Sequence, residues 1–599
     1  MGCHFGYLLS EPRGFLPFGS EPGKRTFYFG ANDRTIMGAS FGGQGRRWLV
    51  ALVILMTMAV YLDTLRYDFV WDDHRNILSS PVLSGSSPLL KSFSDFTHTT
   101  NFTYRPLMSV SFALDLSIWG KNPMGFHLTN VLLHATVTFL VFLLLLKISG
   151  SFRSALLAGA IFGVHPVHTE AVSWISGRSD ILSTLFAIVS VLFSLKTHSS
   201  RGAPEWAWRF AAWAGFGLAI LVKETAIVLP VLSLVWMWAV RKDRRRRILL
   251  FDFLPVLAIG ILFLAFRSSF LLQHGSFQPV RTASMLTFVF GEYIRLLVFP
   301  SPLKALYTLP PATFADPLVL RSLAILLLWI GLGVYFIKRN PLIWMGVAWV
   351  VVSLQPTIAL VVYKSVSPLA ERLDYLPSVG FALVGSELLL AGSRWMKNRF
   401  SDRPSAAWVL PAILIVIFSL ATVRSNAAWA NEETLWKNTT IYSPGHPLAF
   451  YNLAVELQKQ NRLGEAAVLY QKAIGLDPAD SNSRYNLGII YLDQGNYAAA
   501  AKYFKEALAI NPRHSSAYTN LAMAYHFMGD DRLARKILEE AVRIDPSNAV
   551  AQNNLGNVLL TEGNVREAVE HYRKALALAP DYAEARTNLE NAVRRAGTE

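Results

Sequence analysis

The 599 residues are 52% apolar and only 16% charged, which excludes a single domain and an ordinary soluble protein and points to a membrane-embedded region. The formal charge of +15 is uneven: from Gly445 onward 17 Lys and Arg stand against 18 Asp and Glu, and before it 39 stand against 23, so the basic excess belongs to the apolar part. There it falls in short clusters between apolar runs, as in cytoplasmic loops, which sets nucleic acid aside as a partner, while the lone Cys3 excludes a disulfide framework or a thiolate metal site.

Residues 1–45 hold Gly, Pro, Ser and aromatics without the apolar run of a signal peptide and read as a disordered cytoplasmic tail. Met37, just ahead of Arg46-Arg47, is a second candidate start of translation. From there apolar stretches near 48–65, 127–147, 154–172, 180–196, 208–222, 225–240, 248–266, 317–337, 341–362, 376–392 and 405–423 predict about eleven spans. Arg46-Arg47, Lys147/Arg153, Lys196/Arg201/Arg209, Arg241 to Arg247, Lys338-Arg339 and Arg394 to Arg403 then share one side, which the basic bias makes cytoplasmic. An odd number of crossings from a cytoplasmic N-terminus puts the C-terminal part outside, with the loop 67–126, the turn 165–180, the segment 267–316 and the turn 363–375. The run 285–299 then lies in-plane or re-enters.

Chemistry on that side has to come from these segments. Asp72 and Asp73 follow the first span and suit a general base that takes a proton from an acceptor hydroxyl; the plain alternative is a helix cap or interface marker. Arg105 in Tyr104-Arg105-Pro106 and Arg372 in Glu371-Arg372-Leu373-Asp374-Tyr375 suit a phosphate clamp. The turn His165-Pro166-Val167-His168-Thr169-Glu170, followed by Gly177-Arg178-Ser179-Asp180, is dense in polar groups. A hydrogen-bonded cluster is favoured there over a metal site, and no metal or cofactor is expected. Lys223-Glu224 reads equally as a functional pair or a neutralised turn.

In the last quarter, Asn-Leu pairs recur at Asn452, Asn486, Asn520, Asn554 and Asn588, 34 residues apart, the period of the tetratricopeptide repeat (TPR). The division expected is therefore 1–45 tail, 46–424 membrane domain, 425–446 linker and 447–599 repeats, with units 447–480, 481–514, 515–548 and 549–582 and a capping helix. Stacked units leave a concave face suited to polypeptide segments, the only candidate for acceptor binding.

Taken together, Phe-Val-Trp-Asp-Asp, Tyr-Arg-Pro-Leu, Phe-His-Leu-Thr-Asn-Val-Leu-Leu-His, His-Pro-Val-His-Thr-Glu-Ala-Val, Gly-Arg-Ser-Asp, Lys-Glu-Thr and Ala-Glu-Arg-Leu-Asp-Tyr-Leu-Pro-Ser occur in an order that resembles the transmembrane and TPR-containing O-mannosyltransferase family of the GT-C glycosyltransferases. The resemblance implies an all-α fold, a polytopic GT-C-type helical domain followed by a TPR solenoid. It further implies metal-independent, inverting transfer of mannose from a polyprenyl (dolichyl-type) phosphate to Ser or Thr hydroxyls of proteins on the lumenal or exterior side. By the same carry-over Asp72 or Asp73 is the base, and Arg105, His165, His168, Glu170, Arg178, Lys223 and Arg372 shape the donor pocket. The short repeat array and compact length look more like a prokaryotic relative. Competing functions are transfer to an envelope lipid or glycan and a non-catalytic membrane-anchored TPR scaffold. A transporter ranks below them, because the spans show no internal repeat.

Overall fold

Three of the apolar helices begin on one local device, an Asn or Asp followed by Pro. Asn122, Asp316 and Asn340 each accept a hydrogen bond from the second backbone N–H of the helix, while Pro takes the first helical position, where no donor is needed. The helices that result are Pro123–Ser149, Pro317–Phe336 and Pro341–Ser353. Gly150, left-handed at φ 63°, ends the first of them, and Ser151 caps the next, Phe152–Gly163. The computed structural model describes residues 43–84, 88–94, 104–197, 203–239, 249–268, 279–310, 313–362, 368–399 and 408–596. Cys3, Met37, the expected tail as far as residue 42 and the basic cluster Arg241 to Arg247 lie outside the described residues. No strand occurs among the described residues, so the all-α expectation is met.

Eleven spans are not found among the described residues. Among the described residues six helices are long and apolar enough to cross a membrane: Gln44–Arg66, Pro123–Ser149, Ile175–Thr197, Pro317–Phe336, Pro341–Val362 and Val409–Trp429. The pair Phe152–Gly163 and Pro166–Ser173, bent by 49°, makes a seventh if it is one span. Eleven are not reached because apolar sequence alone does not carry helix length. Pro166 breaks one run, and Glu224–Ser233 and Leu254–Leu264 are short. Ala203–Val222 has the length, but Glu205 and Arg209 dilute its apolarity. The run 285–299 is part of one helix, Pro279–Val298, whose Phe288, Val289, Tyr293 and Leu297 are buried.

One core gathers the helices Gly43–Ala59, Pro123–Ser149, Phe152–Gly163, Pro341–Ser353 and Pro377–Arg399, a second joins Pro279–Val298 to Pro317–Phe336, and a third lies among Arg178–Thr197, Ala203–Val222 and Leu229–Ala239. Along Pro123–Ser149 the polar side chains His127, Asn130, His134 and Thr138 share one helical face and are all buried, turned into the bundle rather than outward.

The stretch 425–446, expected as a linker, contains the helix Glu432–Tyr442 with a capping box between Asn431 and Thr434. Four helix pairs follow from Pro447 to Leu578, then a ninth helix, Ala583–Ala596. Each pair turns on a left-handed residue: Asn461 (φ 60°), Gly495 (74°), Gly529 (83°) and Gly563 (84°), spaced by the repeat period. Within the last unit, helix Ala549–Thr561 lies so close to helix Val565–Leu578 that a Cβ on Gly556 would sit 2.7 Å from Cε1 of the buried Tyr572, whose hydroxyl donates to Asn557. Gly556→Ala is therefore expected to destabilise the repeat by about 1–3 kcal/mol despite alanine's better helix propensity, read as a lower thermal midpoint of the full chain in detergent micelles. An unchanged midpoint overturns the close-packing account.

Candidate active site

After the first long helix the chain makes a short turn, Leu62–Arg66, and then a bend at Trp71, which adopts a left-handed backbone with φ 56°. A bulky residue takes this conformation only under constraint. The bend is followed by Asp72 and Asp73, adjacent in sequence and unlike in setting. Asp73 is fully buried: Oδ1 accepts from the Ser176 backbone N–H at 2.8 Å and its hydroxyl at 2.6 Å, and Oδ2 accepts from Val70 N–H at 3.1 Å. Burial nevertheless pushes its carboxyl up to about 7. Asp72 is half-buried, and its carboxylate takes no hydrogen bond among the described residues. Its carboxyl is also raised, first by burial and then by the negative charge of Glu432, against the pull of Arg372 and Arg75.

The cations expected around the phosphate are each held by a carboxylate. Arg372 is ion-paired with Glu170, which also accepts from the Arg372 backbone N–H at 2.9 Å, and its guanidinium lies 5.2 Å over the Trp174 ring. Lys223 donates to both oxygens of Asp180 at 2.6 and 2.5 Å. Arg105 makes a two-point contact with Glu224 at 2.9 and 3.2 Å, with about a quarter of each side chain exposed (23% and 27%). Arg105 and Arg372 both lie near enough to Lys223 to act on its charge, so the three form one cationic group.

Arg178 and the two histidines are placed apart from this group, in the packed interior. The Arg178 guanidinium is fully enclosed: it pairs with Asp115 at 2.6 Å, donates to Asn130 at 2.6 Å and to the Phe126 carbonyl at 2.9 Å, and sits over the Phe112 ring. None of its faces is left open to a ligand. His165 bridges the Leu297 carbonyl and the Val167 N–H, and His168 bonds the Ser378 hydroxyl at 2.8 Å between the rings of Phe162 and Tyr375.

Two further carboxyls lie in the Arg372 turn. Glu371 is buried, accepts from the Tyr307 hydroxyl at 2.7 Å and from Lys304 N–H, and is raised to about 8, chiefly by burial and then by Glu170. Asp374 is raised well above the ordinary range by burial and by Glu371, and neither of its oxygens has a hydrogen-bond partner among the described residues. Asp180, Thr225, Ser353 and Leu376 line one small cavity, and a second, apolar cavity of about 60 Å³ is walled by Leu145, Val191, Leu232, Val256 and Leu383.

Residues 105–272 match the profile of the dolichyl-phosphate-mannose-protein mannosyltransferase family, and 454–495, 481–547 and 513–581 match tetratricopeptide repeats. The chain thus joins a region similar to protein mannosyltransferases to TPR repeats. A protein O-mannosyl-transferase of Caenorhabditis elegans is 29% identical over 459 residues, covering 73% of this chain and 64% of that one. Protein O-mannosyl-transferase TMTC2 of Homo sapiens is 27% identical over 520 residues, covering 70% and 61%. A third relative, from Drosophila melanogaster, reaches 37% over 183 residues, 29% of this chain and 20% of its own. The chain thus spans less than two thirds of the length of these curated relatives. The resemblance read from the sequence motifs is borne out, while the expectation of a prokaryotic relative draws no support from these animal proteins.

The mannosyltransferase match contains Arg105, His165, His168, Glu170, Arg178 and Lys223 but neither Asp72 nor Arg372, which reach the site through folding. Asp115 and Glu432 are also structurally central, and sequence reasoning missed them. Asp115 had a signal, a lone acid within the apolar helix Pro106–Trp119. Glu432 had none beyond following a helix-capping Asn.

Proposed function

We propose that the chain transfers mannose from a polyprenyl phosphate of the dolichyl type to Ser or Thr hydroxyls of proteins, with inversion at the anomeric carbon, on the extracytoplasmic side of the membrane. The observation that carries this reading is one carboxylate without a hydrogen bond among the described residues, Asp72, within electrostatic reach of Arg372. In this mechanism Asp72 takes the acceptor hydroxyl's proton as its oxygen attacks the sugar C1. The bond from C1 to the phosphate oxygen breaks on the opposite face, and its electron pair leaves on the phosphate. Arg105, Lys223 and Arg372 stabilise that departing charge, and their carboxylate partners keep them neutralised until a phosphate exchanges for one.

The sidedness in this reading rests on the basic bias of the loops. The first loop, the turn carrying Trp174, the segment at Ala305-Leu306 and the first two repeats meet in one hydrophobic cluster, which supports putting the repeats on the same side as the loops that the basic bias reads as outside. In this reading residues 46–424 perform the transfer and 447–599 present the acceptor along the concave face of the repeats.

The test is a transfer assay with the full chain in detergent micelles, dolichyl phosphate mannose as donor and Ser/Thr-rich polypeptides as acceptors. Label on Ser or Thr supports the reading, and no transfer from any polyprenyl-phosphate sugar favours the scaffold. Arg105→Ala is expected to raise the donor KM by about 10-fold, the size of one charge-assisted hydrogen bond. The partly exposed pair it breaks adds little to stability, so the thermal midpoint should stay near that of the parent.

A further inference from the structure

Glu432 stands at the start of the helix leading into the repeats, 361 positions from Trp71, yet both of its carboxylate oxygens are occupied at the Asp72 bend. Oε1 accepts from the Trp71 backbone N–H at 2.7 Å and lies 3.3 Å from His74 Nε2, while Oε2 accepts from the Trp436 indole N–H at 2.5 Å. Two residues earlier in that helix-entry turn, the backbone repeats the attachment: Asp68 N–H donates to the Ala430 carbonyl at 3.0 Å. The Trp71 ring stacks on Trp174 at 5.0 Å and on Trp429 at 6.4 Å and meets Trp436 edge-on at 5.4 Å. Both the backbone and the ring of the residue just before Asp72 are therefore fixed by the C-terminal part. A left-handed Trp persists only where its surroundings over-determine it, and the Trp71 conformation sets the direction in which the Asp72 side chain leaves the chain.

We infer that Glu432 is the positioning residue of Asp72: it clamps Trp71 in its left-handed bend and sets a second negative charge beside the base, which makes the helix before the repeats part of the catalytic apparatus. The inference deepens the transferase reading and rests on Asp72 acting as the base. The charges facing Asp72 are Arg372 from the 371–374 turn, Arg75 and the neighbouring Asp73 from its own segment, and Glu432; His74, 48% exposed, faces Glu432. Of these, Glu432 opposes ionisation of Asp72 and the two arginines favour it. Glu432→Gln leaves an amide oxygen for Trp71 N–H and removes only the charge and the acceptor for the indole, whereas Glu432→Ala removes the clamp.

The experiment uses the full chain in detergent, with Cys3→Ser removing the native thiol and Asp72→Cys placing a thiol where the base stands. Maleimide alkylation is followed across a pH series. Adding Glu432→Gln is expected to lower the pH of half-maximal alkylation by about half a pH unit, the size of one unit charge acting across a partly solvated gap. Adding Glu432→Ala is expected to raise the limiting rate several-fold. Glu465→Gln, a change at an exposed glutamate of the first repeat paired with Arg462, is the control. A midpoint and limiting rate equal to the control in both Glu432 variants overturn the inference. Mannose transfer by the chain with Asp72 intact is measured alongside, where Glu432→Gln should move the acidic limb of the rate profile downward and lower kcat more than it changes KM. A displaced thiol midpoint with no transfer by the parent refutes the mannosyl reading and keeps the positioning, whereas transfer with an unmoved midpoint does the reverse.

Discussion

Asp72→Asn is expected to lower mannosyl transfer by about 10²- to 10⁴-fold, the span of a lost general base, while the thermal midpoint stays close to that of the parent. The substitution is isosteric, and the carboxylate it replaces has no hydrogen bond among the described residues to lose. Asp73→Asn behaves differently. An Asn can keep its oxygen toward Ser176, but its amide then faces the Val70 N–H, donor against donor, inside a fully buried site. The cost is about 1–3 kcal/mol, so activity falls with the folded fraction and returns at lower temperature. The wild-type pH profile separates the two residues further. A base works as the carboxylate, and burial together with Glu432 raises the Asp72 carboxyl against Arg372 and Arg75. Activity should therefore fall as pH drops through a limb lying above the ordinary Asp value of about 3.9. Initial rates for wild type and both variants across the pH series decide it: equal loss in Asp72→Asn and Asp73→Asn, or transfer intact in both, sinks the assignment.

Much of this architecture is legible in the sequence because it depends on local chemistry. The Asn-Pro and Asp-Pro starts, the 34-residue period with Gly or Asn at each turn, and the buried polar stripe of Pro123–Ser149 all follow from spacing and residue type. The eleven spans are not found among the described residues, because a run of apolar residues tells nothing of where Pro166 or Glu205 will bend or dilute it. The site was legible by residue type and not by role. Asp72 and Asp73 are equivalent in the sequence; a left-handed Trp71 held from 361 residues away separates a buried, hydrogen-bonded carboxylate from a free one. Arg105, Arg178 and Arg372 read alike too, yet only their partners distinguish a partly exposed pair from an enclosed one: Glu224, Asp115 and Glu170.

That distinction gives Arg178 its own expected result. With 0% of its side chain exposed and 5% of Asp115, Arg178→Ala leaves the Asp115 carboxylate charged in an apolar setting, and breaking one side of such a buried pair costs about 3–5 kcal/mol. The Asn130 oxygen and Phe126 carbonyl also lose their donors. The full chain should lose its cooperative thermal transition or shift it far downward. Replacing both partners by apolar side chains, as Arg178→Met with Asp115→Leu, removes the stranded charge and should recover much of the midpoint, because a buried ion pair is close to neutral against well-packed apolar residues. Activity need not follow. Arg178 continues the turn Ile175–Gly177, whose Ser176 holds Asp73 in place beside Asp72. Recovery of stability without recovery of transfer would show that the pair orients this turn, recovery of both would assign it to folding alone, and a single Arg178→Ala variant that melts like the parent would overturn the account of the enclosed guanidinium.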